Sequence, residues 1–488
     1  MYLCASFEPS VFVQQMKYHI ITLGCQMNRS DSERVRTVIE GMGYQWTDKE
    51  EDAGLLGVIA CSVRQKSIDK VYSRIGRWNR QKNKRNLLTF VSGCILPSDK
   101  GKFLKLFDFV FTMAELPGFP DMVRQYGVPT PVGAGLSEVA AAAAVAGEAT
   151  VTNTRFSQLA IALPKEKIRE FWMVPPTYVS DYEAFIPIQN GCDKFCTYCA
   201  VPYTRGREIS RPSGEILDEI KQLVGKGYKI ITLLGQNVNS YGLDKQGAEL
   251  SFPGLLKAIG EFGCASGKEF WVYFTSPHPR DMNDKVLHTI AQYNCLAKQI
   301  HLPLQSGDDS VLKRMNRKHT LADYGLIVDS IRHILPGATI FTDIIVGFTG
   351  ETEEEFENSR KAMERFQYNM AYIAIYSPRP GAASAKWDDN VPHQLKKQRL
   401  HILTDELTRH TLGYNKALIG KRMRVLVTGY DRKPGYFSGI TEGRIVVRFA
   451  SENHVIPGIF VWLDITSAAS YSIEGELVKE KALAQPAS

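Results

Sequence analysis

The sequence predicts an α/β protein of three domains: an N-terminal parallel-sheet α/β domain, a central partial (β/α)6 barrel, and a small antiparallel β-barrel at the C-terminus. Three observations carry this. Strand and helix signals alternate from residue 17 and again from about residue 183. The second run supplies six strand–helix units rather than eight, which makes the barrel incomplete. After residue 419 the pattern changes to short alternating runs broken by Gly, Pro, Asp and Asn, the signature of a small antiparallel barrel. The length, 488 residues, is enough for about three domains of ~150 residues.

The first segment reads Tyr18 to Leu23 as a strand, Asp31 to Met42 as a helix with Ser30 or Asp31 as N-cap, and Gly54 to Ala60 as a buried strand. Gln65 to Arg80 reads as a helix and Leu87 to Val91 as a third strand, giving βαβαβ with right-handed crossovers. Residues 1–16 read as a tail, 17–132 as the first domain and 133–180 as a linker with an alanine-rich insertion. The barrel is expected over 181–418. Its strands are Phe185 to Gln189, Lys229 to Leu234, Phe270 to Thr275, Gln299 to Leu304, Thr339 to Val346 and Met370 to Tyr376. Helical patterns include Gly214 to Gly225, Leu321 to Ile334, Thr352 to Phe366 and a long amphipathic His393 to Leu418. The small barrel is expected over 419–480, with 481–488 as a tail.

Composition is that of an ordinary globular protein, 44% hydrophobic and 23% charged. No stretch approaches the ~18 uninterrupted apolar residues of a membrane span. Met1 to Gln15 lacks a basic segment followed by an apolar one, so a cytoplasmic protein with no membrane partner is expected. The net charge of +7 permits a polyanionic partner without demonstrating one. Nine cysteines in such a chain argue for metal binding or redox chemistry over a disulfide framework.

Cys192, Cys196 and Cys199 form C-x3-C-x2-C directly after the first barrel strand. Three thiolates hold three irons of a 4Fe-4S cube and leave the fourth iron open to a cofactor or substrate. Structural zinc is the competing reading. It ordinarily takes four protein ligands, and no second Cys or His pair follows, although His278 and His301 are available. Cys25, Cys61 and Cys94 each fall just past the carboxyl end of a strand of the first sheet, an edge where ligand sites form. They read as a second metal site or as three buried structural thiols. Cys4, Cys264 and Cys295 belong to neither set.

The C-x3-C-x2-C after the first strand of a partial barrel resembles the radical-SAM superfamily. Further segments resemble its methylthiotransferases: GCQMN, CDKFCTYC, VPYTRGREISRP, LLGQNVNSYG, TSPHP, HLPLQSGDDSVLKRMNRKHT and YSPRPG. The branch acting on N6-dimethylallyladenosine of tRNA is the most similar, and the likeness covers nearly the whole chain after residue 17. Three segments depart from the family pattern, the first being the long, alanine-rich stretch between the first two domains. Ile59-Ala60 precedes the second cysteine where Asn-Thr is usual, and GAASA stands where Gly-Thr-x-Ala is commoner.

The resemblance implies that S-adenosylmethionine (SAM) chelates the open iron held by Cys192, Cys196 and Cys199 and is cleaved reductively to a 5′-deoxyadenosyl radical. It implies that Cys25, Cys61 and Cys94 hold an auxiliary 4Fe-4S cluster that handles sulfur. It places Tyr198, Gly235, Gln236, Gln305, Gly347 and Gly350 at the cofactor, although such glycines also make simple βα turns. The tail resembles a TRAM domain, an RNA-binding barrel. The reaction implied is addition of a methylthio group to carbon 2 of the modified adenosine at position 37 of tRNA. The alternatives are threonylcarbamoyl-adenosine in tRNA, a ribosomal-protein aspartate, and a non-catalytic cluster-containing RNA-binding protein. Implied partners are tRNA and an electron donor such as a flavodoxin or ferredoxin, and a monomer is expected. The chemistry then rests on the clusters, so no side-chain acid or base is assigned.

Basic residues supply the candidate RNA contacts. Arg205, Arg207 and Arg211 follow the cysteine loop, and Arg379 lies in YSPRPG. Arg424, Arg444 and Arg448 alternate with apolar residues in the tail. Each is read as a contact to phosphate or cofactor carboxylate, or as a local ion pair. Lys70, Arg74, Arg77, Arg80, Lys82, Lys84 and Arg85 form a run without an acidic residue, either a phosphate-binding face or a solvated one.

Overall fold

The computed structural model describes residues 16–62, 65–126, 165–245, 247–451 and 455–478, which divide into two compact units. The first holds a five-stranded, wholly parallel sheet: β1 (Lys17–Thr22), β2 (Gln45–Trp46), β3 (Leu55–Cys61), β4 (Leu88–Cys94) and β5 (Phe109–Val110), in the order β2-β1-β3-β4-β5. The two short edge strands extend the expected three. Every residue of β3 is buried, as a central strand covered on both faces requires. The helix Gln65–Lys82 buries Ile68, Val71, Ile75 and Trp78, spaced three and four apart on one face, and turns its basic residues outward.

The first helix differs from the sequence expectation. It runs Gln26–Gly41, directly after Cys25, and Ser30 and Asp31 lie fully buried inside it instead of capping it. The reason is Asn28, whose side-chain oxygen accepts the Cys25 N–H at 3.3 Å and so fixes the helix start earlier. Part of the expected linker is also structured. The helix Lys165–Met173 buries Ile168, Phe171 and Trp172 in the first unit, and Phe171 lies under the Arg34 guanidinium. The alanine-rich stretch itself, both expected tails up to residue 15 and from 479, and Cys4 fall outside the described residues.

The second unit begins with β6 (Glu183–Pro187), followed by the short β7 (Gln189–Asn190) and β8 (Ile209–Ser210). Then come β9 (Ile230–Leu234), β10 (Trp271–Phe274), β11 (Gln299–His301), β12 (Thr339–Val346) and β13 (Met370–Ile375). β6, β9 and β10 form one parallel sheet, β11, β12 and β13 another, and a single bridge between Val272 and Leu296 continues the curve. β11 is shorter than expected because Pro303 has no N–H for the ladder; the chain rejoins β12 at Gln305, which adopts φ +80°. Alternate residues face the helices: Ala184, Ile186, Ile231, Leu233, Val272 and Phe274 pack against them in the main core.

The tail forms a closed barrel from β14 (Arg422–Tyr430), β15 (Tyr436–Thr441), β16 (Val446–Ala450), β17 (Phe460–Ala468) and β18 (Ser472–Leu477), with β16 and β18 the one parallel pairing. It belongs to the same compact unit as the partial barrel. No helix among the described residues is long and apolar enough to cross a membrane.

Candidate iron–sulfur centres

The C-x3-C-x2-C loop is closed at its base by a two-residue hairpin. Gln189 pairs with Ser210 and Asn190 with Ile209, so residues 191–208 form one excursion beyond the first barrel strand. Gly191 is obligatory at the entry: it adopts φ +82°, and a Cβ there would stand 2.0 Å from the Arg207 carbonyl oxygen. Its N–H donates to Gln236 Oε1 at 2.5 Å, which ties the loop to the segment after β9. The segment 314–317 holds the far side. Thr197 N–H donates to Met315 O at 3.1 Å, and Asn316 Nδ2 donates to Phe195 O at 3.0 Å.

Burial pushes the Cys192 and Cys199 thiols up to about 12, so metal binding at these residues has to displace protons. Among the described residues no three metal-ligating side chains converge into a single-ion cage. An iron–sulfur cube does not need that, because its own sulfides hold the three thiolates apart. The charge environment fits a cube. Arg317 is 4% exposed, its Nη1 donates to Cys196 Sγ at 3.6 Å and its Nη2 to Pro303 O at 2.7 Å, and its Nε has no partner. A buried guanidinium with no carboxylate bonded to it calls for an anion, which thiolates on iron supply.

Tyr198 packs with Val311, Met315, Phe348 and Tyr376, so the structure brings it to the loop that contains Gly347 and Gly350. Desolvation and the adjacent Cys196 push its hydroxyl well above the ordinary tyrosine range. Gly347 and Gly350 have φ of +68° and +75°; their N–H groups donate to Glu351 Oε2 at 2.7 Å and Asn390 Oδ1 at 3.0 Å. Gly235 packs on Val238 and Gln189, and Gln305, four residues past β11, bridges to Ile344 of β12. Beside them Lys194 pairs with Asp281 at 2.5 Å, and Asp281 accepts from Asn237 at 3.0 Å. His278 is held neutral by burial and by Arg317, while His301 Nε2 bonds Asp343 at 2.7 Å.

In the first unit Cys61 and Cys94 are the last residues of β3 and β4, and Cys25 lies beyond β1. Asn28 stands among them, fully buried. Its Nδ2 donates to Ala60 O at 3.1 Å and lies 3.9 Å from Cys94 Sγ, while its Oδ1 is 3.5 Å from Cys25 Sγ. The backbone donor and acceptor fix which way the amide points. A Cβ on Gly24 would stand 2.2 Å from Asn28 Oδ1, and one on Gly93 3.1 Å from its Nδ2, so both glycines keep the cradle open. The donor set, three cysteines on one sheet edge, suits a cube.

The candidate arginines are placed as follows. Arg205 is buried and bonds Asn190 at 3.3 Å; Arg211 is buried between Glu215 and Glu219. Arg207 pairs with Asp193 at 3.4 Å and lies over Phe195. Arg379 is half-buried in the loop after β13. Arg424 pairs with Glu269, and Arg448 with Asp431 and Glu474. Arg444 reaches into the partial barrel and donates to Thr232 Oγ1 at 3.0 Å. In the basic run, Arg74 and Arg77 pair with Glu50, Lys82 with Asp108, and Arg85 bonds the Glu50 and Ala53 carbonyls. Lys70, Arg80 and Lys84 remain exposed. Cys264 is exposed, and burial pushes the Cys295 thiol up to about 11.

Sequence reasoning singled out neither Asn28 nor Arg317, although both lie inside quoted segments, GCQMN and the run ending MNRKHT. Their adjacency to cysteines remote in sequence was the missing signal.

Comparison with known proteins places the chain in a family. Residues 186–363 match the Radical SAM superfamily, and residues 17–113 match an uncharacterized protein family, UPF0004. A tRNA-2-methylthio-N(6)-dimethylallyladenosine synthase of Ectopseudomonas mendocina is 36% identical, over 95% of this chain and 98% of that protein. A synthase of the same name from Shigella boydii is 35% identical, over 95% and 92%. Among solved structures, the radical S-adenosylmethionine methyltransferase TsrM of Kitasatospora setae aligns over 89% of this chain and 80% of that one, with TM-score 0.50 and 13% identity, a likeness of fold. The chain belongs to the tRNA-2-methylthio-N(6)-dimethylallyladenosine synthase family, within the radical SAM superfamily.

Proposed function

We propose that this chain adds a methylthio group to carbon 2 of N6-dimethylallyladenosine at position 37 of tRNA, using SAM and two 4Fe-4S clusters. The observation that carries the reading is the closed cysteine loop, with the Arg317 guanidinium bonded to Cys196 Sγ in a chain that spans 98% of a synthase of that name. Cys192, Cys196 and Cys199 would hold the SAM-cleaving cluster, and Cys25, Cys61 and Cys94 the auxiliary one. When bound, the clusters supply one-electron cleavage of SAM and the sulfur for transfer.

The chain's own residues orient and enclose. Gln236 fixes the entry of the cysteine loop through the Gly191 N–H. Tyr198, Phe348 and Tyr376 form an apolar wall that excludes water from the Cys196 side. Asn28 holds the Cys25 backbone and the Ala60 carbonyl, and with them the spacing of the auxiliary cysteines. The small C-terminal barrel acts as a TRAM-type RNA-binding module, and a one-electron donor such as a flavodoxin or ferredoxin supplies reducing equivalents. Mass spectrometry of tRNA nucleosides from a strain lacking the gene tests this. Loss of the 2-methylthio derivative, with N6-dimethylallyladenosine accumulating, is expected; loss of a threonylcarbamoyl-adenosine derivative instead would reject the nucleoside.

A further inference from the structure

Arg317 is bracketed by two residues in the left-handed region, Asn316 at φ +60° and Lys318 at φ +58°. Neither is glycine, so the chain accepts backbone strain on both sides of this one side chain. The strain is held by bonds to the cysteine loop itself: Asn316 Nδ2 to the Lys194 and Phe195 carbonyls, and Thr197 Oγ1 to the Arg314 carbonyl at 2.9 Å. The result is a cation at 4% exposure, bonded to the sulfur of Cys196 and to no carboxylate. The planar fork matters here. One guanidinium nitrogen reaches Cys196 Sγ while the other is anchored on Pro303 O at 2.7 Å, a double reach that a lysine ammonium cannot reproduce.

From this juxtaposition we propose that Arg317 is a positioning residue that raises the reduction potential of the cluster on Cys192, Cys196 and Cys199 through its hydrogen bond to Cys196 Sγ. The inference rests on the reading of that cysteine set as a cluster site. The step it governs is uptake of one electron from a one-electron reductant, after which the cluster is more negative by one charge. A fixed cation beside a ligand sulfur stabilises that reduced form more than the oxidised one, and low local dielectric strengthens the preference. Removing the cation therefore makes reduction harder, whatever the fate of catalysis.

The test uses the full chain with Cys25→Ala, Cys61→Ala and Cys94→Ala, so that one cluster remains, reconstituted anaerobically. Iron content is measured first, then a dithionite titration with redox mediators is followed by electron paramagnetic resonance. Arg317→Gln is expected to lower the ratio of reduced to oxidised cluster about tenfold at a fixed ambient potential, a shift of ~59 mV for a one-electron couple. Arg317→Lys, which keeps the charge and loses the fork, is expected to lower it about threefold. Loaded variants that reduce at the parent potential, or above it, overturn the proposal; if only Arg317→Lys takes up iron, its potential decides alone. Loss of the cluster from both variants with circular dichroism unchanged also overturns it, since Arg317 would then govern loading. A chain further changed at Cys192, Cys196 and Cys199 to Ala must bind no iron. If it still does, the cluster reading fails, separately from the role of Arg317.

Discussion

Cys61 and Cys94 are register partners at the carboxyl ends of adjacent parallel strands, β3 and β4. Side chains of directly paired residues in a parallel sheet point to the same face, so the pairing alone brings two thiols from residues 33 apart in sequence to one side of one edge. Ser62 N–H donates to Cys94 O at 2.8 Å, which carries the register one residue past the strand and fixes both cysteine backbones. Cys25 follows two residues after Leu23, whose N–H continues the β1–β3 pairing to Ile59 O at 2.8 Å, and Asn28 ties it to the other two.

Asn28 should therefore govern loading of the auxiliary site. Asn28→Ala removes the acceptor for Cys25 N–H and the donor for Ala60 O, a loss of about 1–3 kcal/mol for the buried groups left unpaired. Asn28→Asp keeps the acceptor but puts a carboxylate beside the thiolates and should be worse. With Cys192, Cys196 and Cys199 changed to Ala to isolate this site, both variants should hold less iron and labile sulfide than the parent, Asp less than Ala. Equal iron in all three would remove Asn28 from the site.

The two cysteine sets should fail differently. Replacing either triplet with alanine should remove about half the iron, as the proposed assignment of one cube to each set requires. Without Cys192, Cys196 and Cys199 no 5′-deoxyadenosine should form under reducing conditions. Without Cys25, Cys61 and Cys94 it should still form, but methylthiolated tRNA should not. Chromatography of both products alongside iron analysis decides, and methylthiolated tRNA from the second variant would deny the auxiliary set its role in sulfur transfer.

The architecture was legible because its signals are periodic. The fully apolar LLGVIAC and the alternating runs of the tail identify strands without tertiary context. The start of the helix at Gln26 was not legible. Ser30 and Asp31 are better N-caps by residue type, yet Cys25 and Asn28 set the boundary because Asn28 is needed at the sheet edge. Arg317 escaped for a related reason. A charge followed by Lys318 and His319 reads as a solvated turn, and only the fold places Cys196 against it.

Lys70, Arg80 and Lys84 should contribute to tRNA binding, because other members of the basic run are held by Glu50, Asp108 and backbone carbonyls while these three are exposed. Changing all three to Glu should weaken tRNA binding and flatten its salt dependence, while SAM cleavage without tRNA stays at the parent rate. Titration of labelled tRNA at several salt concentrations measures both. An unchanged affinity and slope would leave this helix a solvated face. Arg74→Gln is the control: its charge is paired with Glu50, so it should alter stability more than the salt slope.

Deleting the small barrel is the obvious way to test its RNA role, and the structure argues for a different experiment. The turn between β15 and β16 is inserted against the partial barrel. Tyr273 hydroxyl donates to Glu442 O at 2.9 Å, Thr339 Oγ1 to Gly443 O at 2.8 Å, and Arg444 lies 4.0 Å from the Tyr273 ring centroid while bonding Thr232. Trp271 packs edge-on to Phe460 at 4.7 Å, and Ile230, Ala297 and Leu426 complete an apolar seam. Removing Gly420 to Ser488 would uncover that seam and strand Thr232 and Tyr273, so loss of SAM cleavage in such a truncation would report instability and not RNA binding. Arg444→Ala isolates the seam. It forfeits a charge-assisted hydrogen bond and a cation–π contact, together about 2–4 kcal/mol, and alanine, which keeps a Cβ, gains nothing back at φ +58°. The expected loss is therefore about 2–4 kcal/mol, read as a lower midpoint in denaturant with the slope unchanged. Reversing the exposed Lys421 to Glu on the small barrel, away from the seam contacts, should instead leave the midpoint alone and weaken tRNA binding. If Arg444→Ala leaves stability untouched, the seam is not a structural unit and the truncation becomes an informative test after all.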